Sequence, residues 1–170
     1  GYQDGHAGYS DPLDEQAFLA HVINFLEQQK EWKDTAVVIA YDDSDGWYDH
    51  QMGPVVNQSA SAQDALLGTS CGDGTTAMAG ANAVHAQGRC GYGPRLPLLV
   101  ISPYAKRNFV DHTVTDQSSI LRFIEDNWVG GERITGSFDS RAGVLTNMFD
   151  FRNAHTEPVI VNENTGEVMQ

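Results

Sequence analysis

The adjacent pair Asp42 and Asp43 is the part of the sequence whose residue types point most directly to chemistry. The pair follows an apolar, β-branched run over residues 35–41, so it stands at the end of a predicted buried strand. Two carboxylates there repel each other and resist desolvation, and a bound divalent cation relieves both costs. All-oxygen ligands suit calcium, magnesium or manganese. A solvated acidic turn accounts for the same spacing without a metal.

Three further potential ligands follow the pair closely: Asp45, Asp49 and His50. Gly46 lies among them and makes a turn easy, so that side chains from neighbouring positions can converge on one point. These residues favour a metal site, and they fit equally well as polar residues of an exposed turn.

His6 is the second candidate for chemistry, because Gly5 and Gly8 let the backbone around it approach a ligand closely. A histidine there can donate to a phosphoryl oxygen or act as a general acid, and an ordinary surface histidine is the alternative. His112 is either a ligand or a structural residue near a helix start.

A nucleophile is harder to find in this sequence. It contains neither a Gly-x-Ser-x-Gly elbow nor a glycine-rich phosphate loop that ends in lysine. Ser44 and Thr113 lie near the candidate residues but have no special context. The residues alone therefore indicate a candidate metal site and a candidate phosphate-contacting histidine, without a nucleophile.

Cys71 and Cys90 lie in a long, weakly patterned segment over residues 51–93, which we interpret as a loop insertion. A disulfide between them would close about 20 residues, stabilise the fold by roughly 3 kcal/mol and imply an oxidising compartment. Two unrelated reduced thiols are the alternative, and a free-thiol count on the denatured, unreduced protein distinguishes the two.

The elements that must position these residues follow an α/β pattern. An amphipathic helix begins near Asp11 or Asp14 and continues to Gln29, and buried strands are predicted over residues 35–41 and 95–103. A second helix covers residues 117–128, with the apolar face Ile120, Leu121, Phe123, Ile124 and Trp128. A terminal hairpin is predicted over residues 159–169. Such an order predicts a largely parallel sheet flanked by helices, with ligands beyond the carboxyl ends of the strands.

Composition excludes two classes of partner. The 170 residues carry a formal net charge of −13, which repels nucleic acid. No apolar run reaches the length of a transmembrane segment. The chain opens on a glycine-rich loop without a starting methionine, and we expect further sequence upstream of it.

Taken together, these segments resemble a bacterial phosphoesterase family that contains periplasmic acid phosphatases and phosphocholine-preferring phospholipases C. The matching segments cover residues 5–12, 38–50, 93–103 and 110–113 through 126–128. The family is similar to the alkaline-phosphatase-like superfamily, so the resemblance implies the C-terminal part of an α/β sandwich of that type. The whole chain, residues 1–170, is then a single segment of a larger phosphoesterase domain.

The resemblance also implies roles for particular residues. Asp42 and Asp43 match an aspartate pair that binds a divalent metal, and His6 matches a histidine near the bound phosphate. The family's Glu-Asn metal ligands and its Ser or Thr nucleophile have no counterpart here. We therefore expect the N-terminal portion of the same enzyme as a partner, and an inactive chain in its absence.

The function expected from this resemblance is metal-dependent hydrolysis of a phosphate ester through a phospho-enzyme, in the periplasm or outside the cell. The cysteine-bracketed loop favours an acid phosphatase. The alternatives are a phospholipase C and a non-catalytic metal-binding or structural fragment.

Overall fold

The computed structural model describes residues 1–44, 51, 92–135 and 137–169. Helices and strands both occur in this part of the chain, which is consistent with the predicted α/β class. Asp45, Asp49 and His50 lie outside the described residues, as do Cys71, Cys90 and nearly all of the predicted loop insertion. The disulfide and the loop insertion therefore stay predictions.

The chain divides into two compact units. Unit 1 consists of Gly1–Tyr48, Leu98–Phe109 and Met148–Gln170. Unit 2 consists of Asp49–Pro97 and Val110–Asn147. Asp42, Asp43 and His6 all belong to unit 1, which therefore carries the candidate site.

Helix α1 spans Pro12–Glu27 in unit 1. Asp11 is its N-cap, and the carboxylate accepts from the amides of Leu13 at 2.8 Å and Asp14 at 3.0 Å. Proline at the first position has a backbone angle that suits a helix and no amide to leave unsatisfied. The capping by Asp11 therefore sets the start of α1, at the first of the two positions predicted from the sequence.

Strands β1, Val37–Ala40, and β2, Leu98–Ile101, form a two-stranded antiparallel sheet in unit 1. Val37 pairs with Ile101, and Ala40 pairs with Leu98. Both strands were predicted from their apolar composition, which indicates burial but carries no information on strand direction. Strands β1 and β2 are therefore not parallel as predicted. The α/β sandwich of the alkaline-phosphatase type stays a prediction.

The end of the chain is fastened to α1 by side-chain hydrogen bonds. Asn24 donates to the carbonyl of Val161 at 2.8 Å and accepts from its amide at 3.0 Å, so the side-chain amide pairs as a neighbouring strand would. Glu27, which is buried, accepts from the amide of Val159. The predicted hairpin is confirmed by an antiparallel bridge between Val161 and Val168. We call these hydrogen bonds of Asn24 and Glu27 to the backbone of Val161 and Val159 the terminal clasp.

Helix α2 spans Ser118–Trp128 in unit 2, and its buried side is polar. Ser119 is 0% exposed and Glu125 is 5% exposed, whereas Ile124 is 45% and Trp128 is 72% exposed. Ile124 and Trp128 lie one turn apart on the face predicted to be apolar. The predicted helix is confirmed, and of its apolar side chains Ile120, Leu121 and Phe123 are partly buried.

Buried carboxyl groups explain why the polar side of α2 points inward. Asp139 is 0% exposed and accepts from the amides of Ile134 at 2.9 Å and Ser140 at 2.6 Å. Burial opposes ionisation of Asp139, yet these hydrogen bonds lower its pKa. Burial raises the pKa of Glu125, as does its hydrogen bond to Asp139, and Arg133 lies 3.3 Å from the Glu125 carboxylate. This network ties α2 to the 3₁₀ turn at Phe138–Ser140.

No helix in the described ranges is both long enough and apolar enough to cross a membrane.

Candidate functional site

The loop that carries His6 is held by its own hydrogen bonds. Asp4 accepts from the amide of His6 at 3.1 Å, and the Ser10 hydroxyl accepts from the amide of Gly5 at 3.2 Å. The His6 ring stacks on Tyr9 with the ring centroids 4.3 Å apart. The imidazole is therefore placed by local contacts, on an exposed part of unit 1.

The hydrogen bond of the His6 ring bears on its chemistry. Nδ1 lies 2.7 Å from the carbonyl oxygen of Ala7, so Nδ1 donates its proton there. In the neutral ring this leaves the lone pair on Nε2. A fixed tautomer is what a histidine needs to accept a proton, or to donate one after protonation, at a single defined atom.

Glu15 and Tyr41 connect the His6 loop to the end of strand β1. Gly5 has a φ of +73°, and a Cβ atom built there would collide with the Glu15 carboxylate. The same carboxylate accepts a hydrogen bond from the Tyr41 hydroxyl. Burial raises the pKa of Tyr41 to about 12, and the hydrogen bond to Glu15 adds to this, so the hydroxyl keeps its proton far into the alkaline range.

Asp42 and Asp43 follow Tyr41 directly and are exposed. The Asp42 carboxylate accepts from the amide of Asp43 at 3.0 Å. The structure thus confirms the predicted location of the pair just beyond β1. Glu15 thus contacts both Gly5 of the His6 loop and Tyr41, the residue before the pair.

The donor set tests whether a metal fits here. Two adjacent exposed carboxylates suit a hard divalent cation, and such a cation takes about six or more oxygen ligands. Within the ranges that the structure describes, no group of three or more His, Cys, Asp or Glu side chains is placed to hold a metal ion. The pair fits as part of a ligand set.

An open, mostly apolar cavity of about 560 Å³ lies in unit 1 beside these residues. Its walls come from α1, both strands and the segments around residues 105–107 and 155–166. Glu15 and Tyr41 both line this cavity.

Sequence reasoning missed Glu15 and Tyr41. Glu15 was expected only as an acid in the first turn of a helix, and Tyr41 as the last residue of a strand. The two are 26 residues apart, and nothing in local patterning links them. The available signal was Gly5 itself, because glycine lets the backbone approach another group closely. His112 lies in unit 2 and is exposed.

Replacing Gly5 with alanine should displace Glu15 and thereby loosen the contact between the His6 loop and Tyr41. We expect the pKa of Tyr41 to fall from about 12 toward the ordinary tyrosine value, because the hydroxyl loses its acceptor and the nearby negative charge. Spectrophotometric titration of the tyrosines measures this change.

Gly8→Ala is the matched control. Gly8 is in the same loop and also has a positive φ, of +102°, but a Cβ atom there meets nothing within 4 Å. Both variants carry backbone strain, of about 1–3 kcal/mol. Only Gly5→Ala should move the Tyr41 titration. An equal shift in both variants would show that the contact with Glu15 is not responsible.

The chain is similar to known proteins over most of its length. The sequence model of the Phosphoesterase family matches residues 1–129. The chain is similar to the non-hemolytic phospholipase C of Pseudomonas aeruginosa, with 31% identity over 156 residues, which is 90% of this chain and 22% of that protein. It is 34% identical over 139 residues to the hemolytic phospholipase C of the same organism, covering 81% of this chain and 18% of the relative.

A more distant similarity links the chain to phospholipase C B of Mycobacterium tuberculosis, at 27% identity over 121 residues, 71% of this chain and 22% of the relative. The chain thus spans about a fifth of the length of the curated relatives that it matches.

Proposed function

Since the chain belongs to the Phosphoesterase family, we propose that it contributes part of the active site of a metal-dependent phospholipase C. The observation that supports the proposal is that Glu15 contacts both Gly5, next to His6, and Tyr41, next to Asp42. The names of the relatives favour phospholipase C over the acid phosphatase that sequence analysis preferred.

In this proposal each residue has a defined task. Asp42 and Asp43 supply carboxylate ligands for a divalent cation, which when bound neutralises charge on the phosphoryl oxygens. His6 holds its Nδ1 proton on the Ala7 carbonyl and, when the ring carries a second proton, donates from Nε2 to a phosphoryl oxygen or protonates the leaving group. Tyr41 and Glu15 are positioning residues that fix the strand end against the His6 loop.

The nucleophile and the remaining ligands are proposed to come from other parts of a longer polypeptide, the N-terminal portion of the same enzyme. The small share of the relatives' length that the chain covers supports this proposal. In the absence of that portion we expect no turnover, because a phosphoryl group has no attacking hydroxyl to accept it.

Activity on two chromogenic esters tests the proposed reaction in the longer enzyme. We expect faster hydrolysis of p-nitrophenylphosphorylcholine than of p-nitrophenyl phosphate, and loss of both activities on treatment with a chelator, with recovery when a divalent metal is added back. Release of nitrophenolate is the measurement.

The opposite substrate order would assign the enzyme to the phosphomonoesterases and refute the phospholipase C proposal. Full activity after exhaustive chelation would refute the metal dependence. The 170-residue chain serves as the control, and it should hydrolyse neither ester.

A further inference from the structure

Two buried carboxyl groups in unit 2 form a pair, Glu125 of α2 and Asp139 of the 3₁₀ turn that follows it. We propose that this pair holds one proton between its two carboxyl groups and acts as a pH-sensitive switch. The pair joins α2 to the turn in mildly acidic solution, and it releases the turn as the pH rises. The proposed metal ligands and His6 lie in unit 1, so the inference does not rest on the proposed function.

Asp139 is the ionised member of the pair. One carboxylate oxygen accepts from the amide of Ile134 at 2.9 Å, and the other accepts from the amide of Ser140 at 2.6 Å. Burial alone would raise the pKa of Asp139, but the hydrogen bonds from these amides outweigh it and lower the pKa. The backbone of the turn is therefore arranged around a negative charge at this position.

Glu125 is the member that carries the proton. Ionised carboxylates are acceptors only, so a hydrogen bond between Glu125 and Asp139 requires a proton on one of them. Glu125 is 5% exposed, and this burial raises its pKa. The hydrogen bond to Asp139 and the negative charge of Asp139 raise it further.

The arginines near the pair leave one negative charge without a cation. Arg133 lies 3.3 Å from the Glu125 carboxylate, but its other terminal nitrogen donates to Asp126. The Nε atom of Arg122 lies 3.6 Å from the same Asp126 carboxylate. In the part of unit 2 that the structure describes, two guanidinium groups thus face three carboxyl groups, including that of Asp139. One bound proton makes the total charge of this group of side chains zero.

The two carboxyl groups give opposite dependences of stability on pH. The contribution of Glu125 is complete below the ordinary glutamate pKa and is lost as the pH rises through its raised pKa. The contribution of Asp139 is present above the ordinary aspartate pKa and is lost as the pH falls through its lowered pKa. The pair therefore stabilises unit 2 most in mildly acidic solution, where Asp139 is ionised and Glu125 is protonated.

Glu125→Gln tests the switch, because glutamine is neutral at every pH and still has a donor for Asp139. Denaturant unfolding of the 170-residue chain is measured for wild type and variant between about pH 4 and pH 8. The unfolding equilibrium constant of the wild type, divided by that of the variant, should rise by up to about tenfold per pH unit above the ordinary glutamate pKa and then level off. A ratio that does not change with pH would overturn the proposal.

Glu132→Gln is the matched control, with the same chemical change at an exposed residue of unit 2. Its backbone carbonyl accepts from Arg133, and the substitution leaves that hydrogen bond in place. The wild-type constant divided by that of Glu132→Gln should not change with pH. A pH dependence equal to that of Glu125→Gln would assign the effect to the overall charge of the chain and refute the switch.

Nuclear magnetic resonance of the wild-type chain tests the proposal without any variant. The side-chain carboxyl carbon of Glu125 should titrate above the ordinary glutamate pKa, and a midpoint at or below that value would contradict the bound proton. Hydrogen-exchange protection of the Ile134 and Ser140 amides, which Asp139 accepts, should fall over the same pH interval. Protection that stays constant through the titration of Glu125 would refute the release of the turn.

Discussion

Asp42→Ala in the longer enzyme should lower turnover by about a thousandfold or more and remove the bound metal. Stabilisation of transition-state charge by a metal is worth several kcal/mol, and each 1.36 kcal/mol is about a factor of ten in rate. Asp42 is exposed and lies beyond the end of β1, so its removal takes away a ligand without creating a cavity in the core. Metal content by elemental analysis and the rate of ester hydrolysis are the two measurements.

Asp34→Ala is the matched control for this prediction. Asp34 is also an exposed aspartate in unit 1, placed before β1 instead of after it, and its contact with Lys33 at 3.8 Å is a surface ion pair. Such pairs contribute little. The control should keep its metal and its rate. Normal metal content and a near-normal rate in Asp42→Ala would refute the assignment of Asp42 and Asp43 as metal ligands.

Leu145→Ala should lower the free energy of unfolding by about 2–5 kcal/mol. Leu145 is 1% exposed in unit 2, so truncation both loses the transfer free energy of the buried side chain and leaves a cavity. Denaturant unfolding followed by circular dichroism measures the change. The metal ligands are unaltered in this variant, so the metal content per folded molecule should not change.

Leu13→Ala provides the same chemical change at an exposed position. Leu13 is 68% exposed near the start of α1, and alanine has the better helix propensity, so we expect a change within about 0.5 kcal/mol. A comparable loss in both variants would mean that burial of Leu145 does not stabilise the fold as the structure indicates.

The sequence was informative wherever local chemistry decides the structure. The start of α1 follows from Asp11 and the proline after it, because capping involves only neighbouring residues. The location of Asp42 and Asp43 follows from a run of β-branched residues that ends at them. These features need no knowledge of distant contacts, and the structure confirms them.

The sequence was less informative where a distant partner decides. On α2, Glu125 is buried beside Asp139, which lies beyond the helix, whereas Ile124 and Trp128 are exposed. The contact of Glu15 with Tyr41 likewise depends on how α1 packs near β1. Periodicity predicts that a helix has two faces, but it does not identify what each face meets.

The terminal clasp has a consequence for how unit 1 is made. Asn24 and Val161, which it joins, are 137 residues apart, so α1 leaves the ribosome long before its hydrogen-bonding partner is synthesised. Contacts of such high sequence separation form late, since the entropy of closing the loop is lost before they contribute. Until Val159 and Val161 have been synthesised, Glu27 and Asn24 lack these hydrogen-bonding partners. Completion of unit 1 therefore waits until Val161 has been synthesised, 137 residues after Asn24.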